Sequence, residues 1–545
     1  MINRYKHHVC RHRKCRRWCL QSDVWNTENG NHLASVEYSL PDTGLATNEI
    51  WMVSGSMATV TRSLDGQGRI LFNNGMHFSY SGDGKLLCLS NEIAKVEYQY
   101  SSDRLEVGYV IELASGQTFS RNTVRDTYRR GLLMNISSTM NGSQLDGFSY
   151  TYDALNRPLV RNSDAFGYNE RSEVTDAVVS GLSAEYGYDE IGNSTSYTAN
   201  SLNQYTQFQY DQDGNLLSDG IYSFAYDSSS RLKTVVSNGV LLVTNYYDAK
   251  SRHVKKVTPA ATTIFFYDDW NLIEERIAYA NGATSIIHYY WGKDISGELQ
   301  GAGGGGGLLY QTIDGAIYIP CLDNNGNITR YLDANGNTVA QYTYDAFGGT
   351  LSQSGSLASF FRHRFSTKYL DVETGLYYYG YRFYLPPLMR WLSRDPIGER
   401  GGLSLYAFCE NDALESFDSF GENRYITQFD ILNLGGSGGT QMHVGVAVDD
   451  WVCRNGKWVK VGVVTFDFGP EPTFLNMLKT VWKAKGVIDE TYGLALKAPI
   501  TIKSTPQQDI KMLKMIREEK KSPPFYNGAF HNCVFWSVGA INYGM

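Results

Sequence analysis

The sequence has little proline and no long apolar run. Only 13 of its 545 residues are proline, and no apolar stretch reaches the roughly eighteen residues that a membrane-spanning helix needs. The amino terminus has no apolar segment after its basic start, so a standard secretory signal peptide is not predicted. The length of 545 residues is enough for about two to four domains, and the hydrophobic content of 42% permits a packed core and argues against disorder.

The sequence also has little excess of acidic over basic residues and no pattern of paired cysteines. The net charge of −7 gives no reason to expect a nucleic-acid partner. The eight cysteines are scattered and form no disulfide framework, which favours folding in the cytoplasm. The basic tail at residues 1–29 contains potential zinc ligands at His7, His8, Cys10, His12, Cys15 and Cys19. Their spacing fits no standard zinc pairing, so we predict no metal site and no cofactor.

Tyrosine and glycine are abundant, with 39 and 54 residues respectively. From about residue 30 the chain shows short alternating runs separated by turn signals such as Asp65-Gly66 and Asn141-Gly142, a pattern typical of hairpins. A repeat then becomes explicit, with an aromatic-x-Tyr-Asp start followed by a turn and Gly-Asn-Leu or Asn-Arg. Its clearest copies are FQYDQDGNL at 208–216 and FAYDSSSRL at 224–232. The period of about twenty residues predicts stacked hairpins whose tyrosines are scaffold, not sugar-binding platforms.

Residues 342–421 are dense in Tyr, Phe, Arg and Gly and show almost no helical period. They end on two Asp corners, DPIG at 395–398 and DSFG at 418–421. This segment resembles the core domain of the RHS/YD-repeat family, and WGKDISGELQGAGGGGGLL at 291–309 resembles the segment upstream of that core. No Lys-Ser/Thr follows these glycines, so close backbone packing is favoured over a phosphate-binding loop.

The resemblance implies a mainly β fold, in which a spiralling YD-repeat sheet forms part of a hollow shell. We expect a shell at 30–341, the core at 342–421 and a separate domain at 422–545. The resemblance also implies that the core is an autoprotease that severs the C-terminal extension near residue 421. Its expected residues fall on Arg382, Asp395 and Asp418.

The chemistry of this trio is reasonable. Of two close carboxylates, one holds a proton while the other activates water, and an arginine can stabilise the oxyanion. Two departures lie beside the expected scissile bond: Ser419 replaces the family's proline and Glu422 replaces its usual leucine. Losing proline at position 419 frees φ and predicts a looser corner. The structural alternative is that both aspartates only cap turns.

Residues 422–545 look like a different protein, a small α+β domain. Strands are predicted at 441–448 and 457–467, and helices at about 471–485 and 506–520. Cys533 lies where a loop meets an apolar, helical run, a position that favours the thiolate. His443 lies on a strand of valine and glycine. A cysteine and a histidine on separate elements are the nucleophile and base of a cysteine hydrolase.

The order of these two residues resembles circularly permuted papain-like hydrolases, the group that includes permuted NlpC/P60 and LRAT-like enzymes. The matching motifs are HVGVAV at 443–448 and YNGAFHNCVF at 526–535. The resemblance implies that Cys533 attacks a carbonyl and His443 takes its proton, and we expect Asp467 to orient the imidazole. His531 is an alternative base. In the structural alternative, Cys533 and His443 are buried core residues.

The features together indicate an RHS-type bacterial polymorphic toxin whose shell encloses a cysteine hydrolase that acts on a peptide, amide or ester-type bond. We expect an immunity protein as partner, no nucleic acid, and a monomer or part of a larger secretion assembly. We also expect an effector that folds in the cytoplasm and is delivered to the cell surface or outside by a secretion system. The alternatives are a non-enzymatic surface or adhesion protein and a truncated remnant of a longer gene.

Overall fold

The computed structural model describes residues 34–37, 48–102, 105–126 and 132–422, apart from the side chains at 400–401. Outside these ranges it describes only the backbone of the strands at 6–11, 18–25, 32–40, 425–426, 444–454 and 457–468. The chain divides into two compact units, residues 1–427 and 428–545. Within the described residues, no helix is long and apolar enough to cross a membrane.

The first unit begins with a sheet of 17 strands, β1 to β17, in which each strand pairs antiparallel with its neighbours in sequence. The strands are β1 (Lys6–Arg11), β2 (Trp18–Trp25), β3 (His32–Leu40), β4 (Asn48–Val53), β5 (Ser56–Leu64), β6 (Ile70–Asn73), β7 (Met76–Tyr80), β8 (Leu86–Ser90), β9 (Ala94–Tyr100), β10 (Glu106–Leu113), β11 (Thr118–Arg125), β12 (Leu133–Met140), β13 (Ser143–Tyr152), β14 (Pro158–Arg161), β15 (Asp164–Tyr168), β16 (Val174–Val179) and β17 (Leu182–Glu185).

A second sheet of 14 strands, β18 to β31, continues the same antiparallel meander. Its strands are β18 (Gln209–Tyr210), β19 (Leu216–Ser218), β20 (Tyr222–Tyr226), β21 (Leu232–Ser237), β22 (Val240–Tyr247), β23 (His253–Val257), β24 (Ala261–Asp268), β25 (Asn271–Tyr279), β26 (Thr284–Trp291), β27 (Leu308–Ile313), β28 (Ala316–Leu322), β29 (Ile328–Asp333), β30 (Thr338–Tyr344) and β31 (Thr350–Ser354).

The core segment follows with short elements. A four-stranded sheet contains β32 (Tyr369–Asp371), β33 (Leu376–Tyr378), β34 (Phe383–Leu385) and β35 (Arg390–Trp391), and a pair contains β36 (Ser416–Phe417) and β37 (Tyr425–Ile426). Single 3-10 turns lie at Phe365–Thr367, Pro386–Leu388, Gly398–Gly401 and Cys409–Asn411. In the second unit the structure describes one hairpin, β38 (Val444–Arg454) and β39 (Lys457–Phe468). The predicted helices of that unit lie outside the described residues. The mainly β fold predicted from the sequence is confirmed.

The tyrosine of each repeat joins one hairpin to the next. The Tyr247 hydroxyl donates a hydrogen bond of 2.6 Å to the backbone carbonyl of Leu232, and the Tyr267 hydroxyl donates one of 2.9 Å to that of His253. The same bond recurs from Tyr168, Tyr188, Tyr226 and Tyr344 to carbonyls 10 to 16 residues earlier. A buried phenol needs a partner, and here it finds one on the preceding strand.

The aspartate of each repeat closes its turn. Asp227 Oδ1 accepts the backbone N–H of Ser229 and Arg231, while Oδ2 accepts the Arg231 side chain at 2.8 Å. Arg231 then donates to the carbonyl of Asp248 in the next turn at 2.9 Å. Arg252 repeats this arrangement one turn further along. The Tyr-Asp-turn pattern therefore supplies bonds both within and between hairpins.

The described residues form three buried hydrophobic clusters, and one of them joins parts of both sheets to the core segment. Its members include Trp51 of β4, Phe265 of β24 and Tyr384 of β34, none of which is more than 1% exposed. The buried Arg252 guanidinium lies 4.2 Å above the Trp51 ring while its ion pair with Asp248 offsets the buried charge. The core segment is thus a continuation of the shell interior, and it brings its own loops against the shell wall.

Candidate self-cleavage site

Three turns of the core bring the predicted cleavage residues together. Arg382 lies in the turn between β33 and β34, Asp395 follows β35, and Asp418 follows β36. The backbone N–H of Asp395 donates to the Leu405 carbonyl at 2.9 Å, which fixes its loop. These three loops, which lie far apart in sequence, thus meet at the Arg382 side chain.

Arg382 is the centre of the arrangement. Its side chain is 3% exposed, and its guanidinium lies 4.2 Å from the centre of the Trp391 ring. Nη2 is 2.9 Å from Asp395 Oδ2 and 3.5 Å from Asp418 Oδ2, so one nitrogen faces both carboxylates. Nε donates a hydrogen bond to the carbonyl oxygen of Gly421. A guanidinium held over an aromatic ring and bonded to a carboxylate has its donors fixed in direction.

Asp418 holds the other side of the same peptide bond. Its Oδ1 accepts the backbone N–H groups of Phe420, Gly421 and Glu422 at 3.1, 2.7 and 3.2 Å. Gly421 has a φ of 75°, in the left-handed region that glycine adopts without strain. The Gly421–Glu422 peptide is therefore hydrogen-bonded at its carbonyl oxygen to Arg382 and at its N–H to Asp418.

Asp395 is the carboxyl best suited to keep a proton. Burial raises the pKa of Asp395 to about 6, with a further contribution from Asp418, against the opposing effects of Arg382 and of the Ile397 N–H that its Oδ1 accepts. Two carboxylates that face one arginine nitrogen in a buried site disfavour double ionisation. The pair can thus contain one protonated and one ionised member near neutral pH.

Ser419 is bonded to two other segments at the corner where the loss of proline predicted looseness. The side chain is buried, and its hydroxyl donates to the Gly301 carbonyl at 3.2 Å. The Ser419 carbonyl accepts the Lys368 ammonium at 2.7 Å. Hydrogen bonds to two other segments replace the constraint that a proline ring would supply. Glu422 is also buried, at 5% exposed.

The glycine segment, GAGGGGG at 301–307, forms part of this site, and nothing in the sequence indicated this. A Cβ on Gly303 would lie 2.1 Å from the Ser419 carbonyl oxygen, so no side chain fits there. Close backbone packing was predicted for these glycines, and it occurs against the Asp418 corner. Lys368 was also missed. The sequence around Lys368 gives no signal of its partners, because both of them are backbone carbonyls of distant segments.

The hydrolase residues predicted for the second unit cannot be compared in this way. His443, His531 and Cys533 lie outside the described residues. Asp467 lies on β39, opposite Gly445 of β38, and only its backbone is described. The juxtaposition of Cys533, His443 and Asp467 therefore stays a prediction.

Comparison with known proteins relates most of the first unit to a shell family and smaller parts of the chain to a nuclease and a toxin subunit. A family model described as Teneurin YD-shell matches residues 67–402. The tRNA3(Ser)-specific nuclease WapA of Bacillus spizizenii is 29% identical over 266 residues, which are 44% of this chain and 11% of that protein. Toxin subunit YenC1 of Yersinia entomophaga is 39% identical over 93 residues, 16% of this chain and 9% of that protein. The chain spans about a tenth of the length of these relatives.

A solved structure shares the fold. The crystal structure of TcdB2-TccC3-Cdc42 superposes with a TM-score of 0.59 at 16% sequence identity, covering 77% of this chain and 26% of that chain. At that identity the likeness concerns the path of the backbone alone. Most of this chain therefore has a fold that a larger protein also contains.

Proposed function

Because the chain belongs to the Teneurin YD-shell family, as its Tyr-Asp repeats predicted, we propose that it is the shell and core of a bacterial toxin that cuts its own chain after Gly421. Support for the toxin comes from the relatives, which are named as a tRNA nuclease and a toxin subunit. Support for the cleavage comes from one observation, the grip of Arg382 and Asp418 on the Gly421–Glu422 peptide.

The proposed reaction is hydrolysis by an aspartate pair. Asp418 accepts three N–H groups, which matches an ionised carboxylate, and it takes a proton from water as the oxygen attacks the Gly421 carbonyl carbon. Negative charge then develops on the carbonyl oxygen, where Arg382 Nε already points. Asp395 holds the second proton and supplies it to that oxygen.

The tetrahedral intermediate collapses with breakage of the bond between the Gly421 carbon and the Glu422 nitrogen. Asp418 Oδ1 lies 3.2 Å from that nitrogen and returns to it the proton taken from water. The products are a new carboxyl group on Gly421 and a new amino group on Glu422. As the bond breaks, one hydroxyl of the intermediate returns its proton to Asp395, which leaves a carboxyl group. One water molecule is consumed, and both aspartates return to their starting protonation states.

Intact-mass analysis of the purified full-length chain tests this proposal. We expect the wild type to give two species that join at Gly421 and Glu422. Asp395→Asn and Asp418→Asn should each give one intact 61.2 kDa species. The matched control is Asp412→Asn, a nearby buried aspartate outside the site. A wild-type chain that stays intact at neutral and mildly acidic pH would refute self-cleavage.

The C-terminal unit is proposed to be the effector, a cysteine hydrolase acting on a peptide, amide or ester-type bond. Its residues would be Cys533 as nucleophile, His443 as base and Asp467 as the group that orients the imidazole. An immunity protein would protect the producing cell, and a secretion system or toxin complex would deliver the effector. The name of the WapA relative favours a second candidate, a nuclease.

Expression of the full-length chain in bacteria separates these activities. For a cysteine hydrolase we expect growth arrest that Cys533→Ala abolishes, with Cys453→Ala as the matched control. Total RNA from the arrested cells should stay intact. Arrest that persists in Cys533→Ala and comes with RNA degradation would support the nuclease instead. No arrest from either chain would favour a surface or adhesion protein, or a truncated remnant.

A further inference from the structure

Lys368 is a buried cation at the cleavage site that the proposed reaction does not use. Lys368 is 6% exposed. Its ammonium donates hydrogen bonds of 2.7 Å to the Ser419 carbonyl and 2.9 Å to the Gly303 carbonyl, and it lies 5.2 Å from the centre of the Tyr379 ring. Burying an ammonium is costly unless its hydrogen bonds are satisfied and a counter-charge is near. The chain therefore retains Lys368 against a considerable desolvation cost.

The backbone before Lys368 is strained into place. Ser366 and Thr367 have φ values of 51° and 54°, which residues with a side chain rarely adopt. Two bonds to the loop after β28 hold this turn, since the Ser366 N–H donates to Asn327 at 2.7 Å and the Thr367 hydroxyl donates to the Gly326 carbonyl at 2.6 Å. Strain of this kind persists where the surroundings enforce it, and it clusters at functional sites.

The opposite wall of the lysine site is the glycine segment. Asp294 Oδ2 accepts the N–H groups of Ala302 and Gly304 at 2.7 and 3.2 Å, which fixes this segment around Gly303. Because Gly303 has no side chain, its backbone approaches Ser419 closely, and one ammonium can bond the carbonyls of both residues. Lys368 thus joins the glycine segment to the corner that presents the Gly421–Glu422 peptide.

The charge of Lys368 also acts on Asp418. Burial lowers the pKa of Lys368 to about 8, against the opposing attraction of Asp418 and Asp294, so the lysine is mostly charged at neutral pH. A nearby cation favours the ionised form of a carboxylate. The titratable residues around Lys368 and Asp418 include Arg382, Asp395, Asp294, Tyr379, His363 and the buried Glu422.

We propose that Lys368 is a positioning residue of the self-cleavage reaction, which holds the Ser419 carbonyl against the glycine segment and keeps Asp418 ionised. This inference depends on the cleavage proposed above. It assigns two effects to one side chain, a geometric one through the carbonyls and an electrostatic one through the ammonium. The two effects can be separated by substitution.

Cleavage rates of newly synthesised full-length chains over a range of pH test the proposal. Lys368→Gln keeps N–H donors for both carbonyls but loses the charge. We expect it to cleave about tenfold more slowly near neutral pH and to lose activity at a higher pH than the wild type on the acid side, because Asp418 becomes protonated more readily. Lys368→Arg retains the charge, so the acid side of its profile should match the wild type.

Gly303→Ala tests the geometric effect independently. The added Cβ pushes against the Ser419 carbonyl, so we expect slower cleavage with an unchanged pH profile. A Lys368→Gln or Gly303→Ala chain that resists proteases like the wild type, and cleaves with the wild-type rate and profile, would overturn the inference alone. If the wild-type chain stays as intact as the Asp418→Asn variant, the proposed function is overturned together with this inference.

Discussion

At the scale of single residues, the Tyr-Asp signature has a physical explanation in two hydrogen-bonding tasks. The phenol reaches the carbonyl of the preceding strand, and the carboxylate closes the turn that follows. Both tasks are local, which is why the repeat could be recognised from the sequence. The face that each tyrosine occupies also follows from strand alternation, as Tyr247 is buried while its neighbour Tyr246 is only partly so.

Removing one phenol hydroxyl should therefore weaken the shell. We expect Tyr247→Phe to lower the free energy of unfolding by about 1 kcal/mol, because the bond to the Leu232 carbonyl is lost inside the core. Tyr246→Phe, on the other face of the same strand, should change it by less than about 0.5 kcal/mol. Urea unfolding followed by tryptophan fluorescence measures both. Equal effects of the two substitutions would contradict the role given to the buried hydroxyl.

The pKa of Asp395 sets a second expectation at this scale. Burial raises it to about 6, so the protonated form is present below that pH and is lost as the pH rises through it. If Asp395 supplies a proton, self-cleavage should slow as the pH rises from about 5.5 to about 7.5. The measurement is the rate of fragment appearance after cell-free synthesis into buffered solutions. A rate that increases over the same interval would make Asp395 the base instead.

At the scale of elements, the sequence predicted the hairpins better than it predicted their meeting points. The trio Arg382, Asp395 and Asp418 was located through family resemblance, since its ends lie 36 positions apart and no periodicity connects them. The contact of Gly303 with Ser419 was not predictable at all. It depends on how two distant loops pack, and a glycine in the sequence indicates close packing without indicating which segment packs against it.

A buried ion pair connects the second sheet to the core in the same non-local way. Lys256 of β23 lies 2.9 Å from Asp371 of β32 and 2.9 Å from Glu373. Lys256→Met should lower the free energy of unfolding by about 3 to 5 kcal/mol at neutral pH, because it leaves Asp371 buried without its partner. Lys255→Met, on the other face of β23, should have a small effect. Comparable losses in both variants would argue against this link.

The pH dependence of that loss provides a check on its cause. Burial raises the pKa of Asp371 to about 6, so protonation below that pH removes the charge that Lys256 neutralises. The destabilisation in Lys256→Met should therefore be smaller at about pH 5 than at about pH 8. Urea unfolding at the two pH values measures it. A loss that does not change with pH would indicate missing side-chain packing, not an unpaired carboxylate.

At the scale of the whole first unit, polar contacts between the two large sheets complement the shared apolar interior. Arg161 of β14 reaches Asp323 after β28 at 3.0 Å, and Lys293 after β26 reaches Glu106 of β10 at 2.7 Å. These links connect strands more than 150 residues apart. The family model, which matches residues 67–402, extends across both links.

The pairing of β36 with β37 has a mechanical consequence. Ser416 and Phe417 precede the Gly421–Glu422 bond, while their partners Ile426 and Tyr425 follow it. Hydrolysis would therefore cut a loop whose two ends remain clasped, and Glu422 would begin the new piece from a buried position. The nicked molecule should travel as one particle through a native sizing column and come apart only in denaturant. Cleavage alone would therefore not release the C-terminal piece, and a separate force would have to break the pairing of β36 with β37.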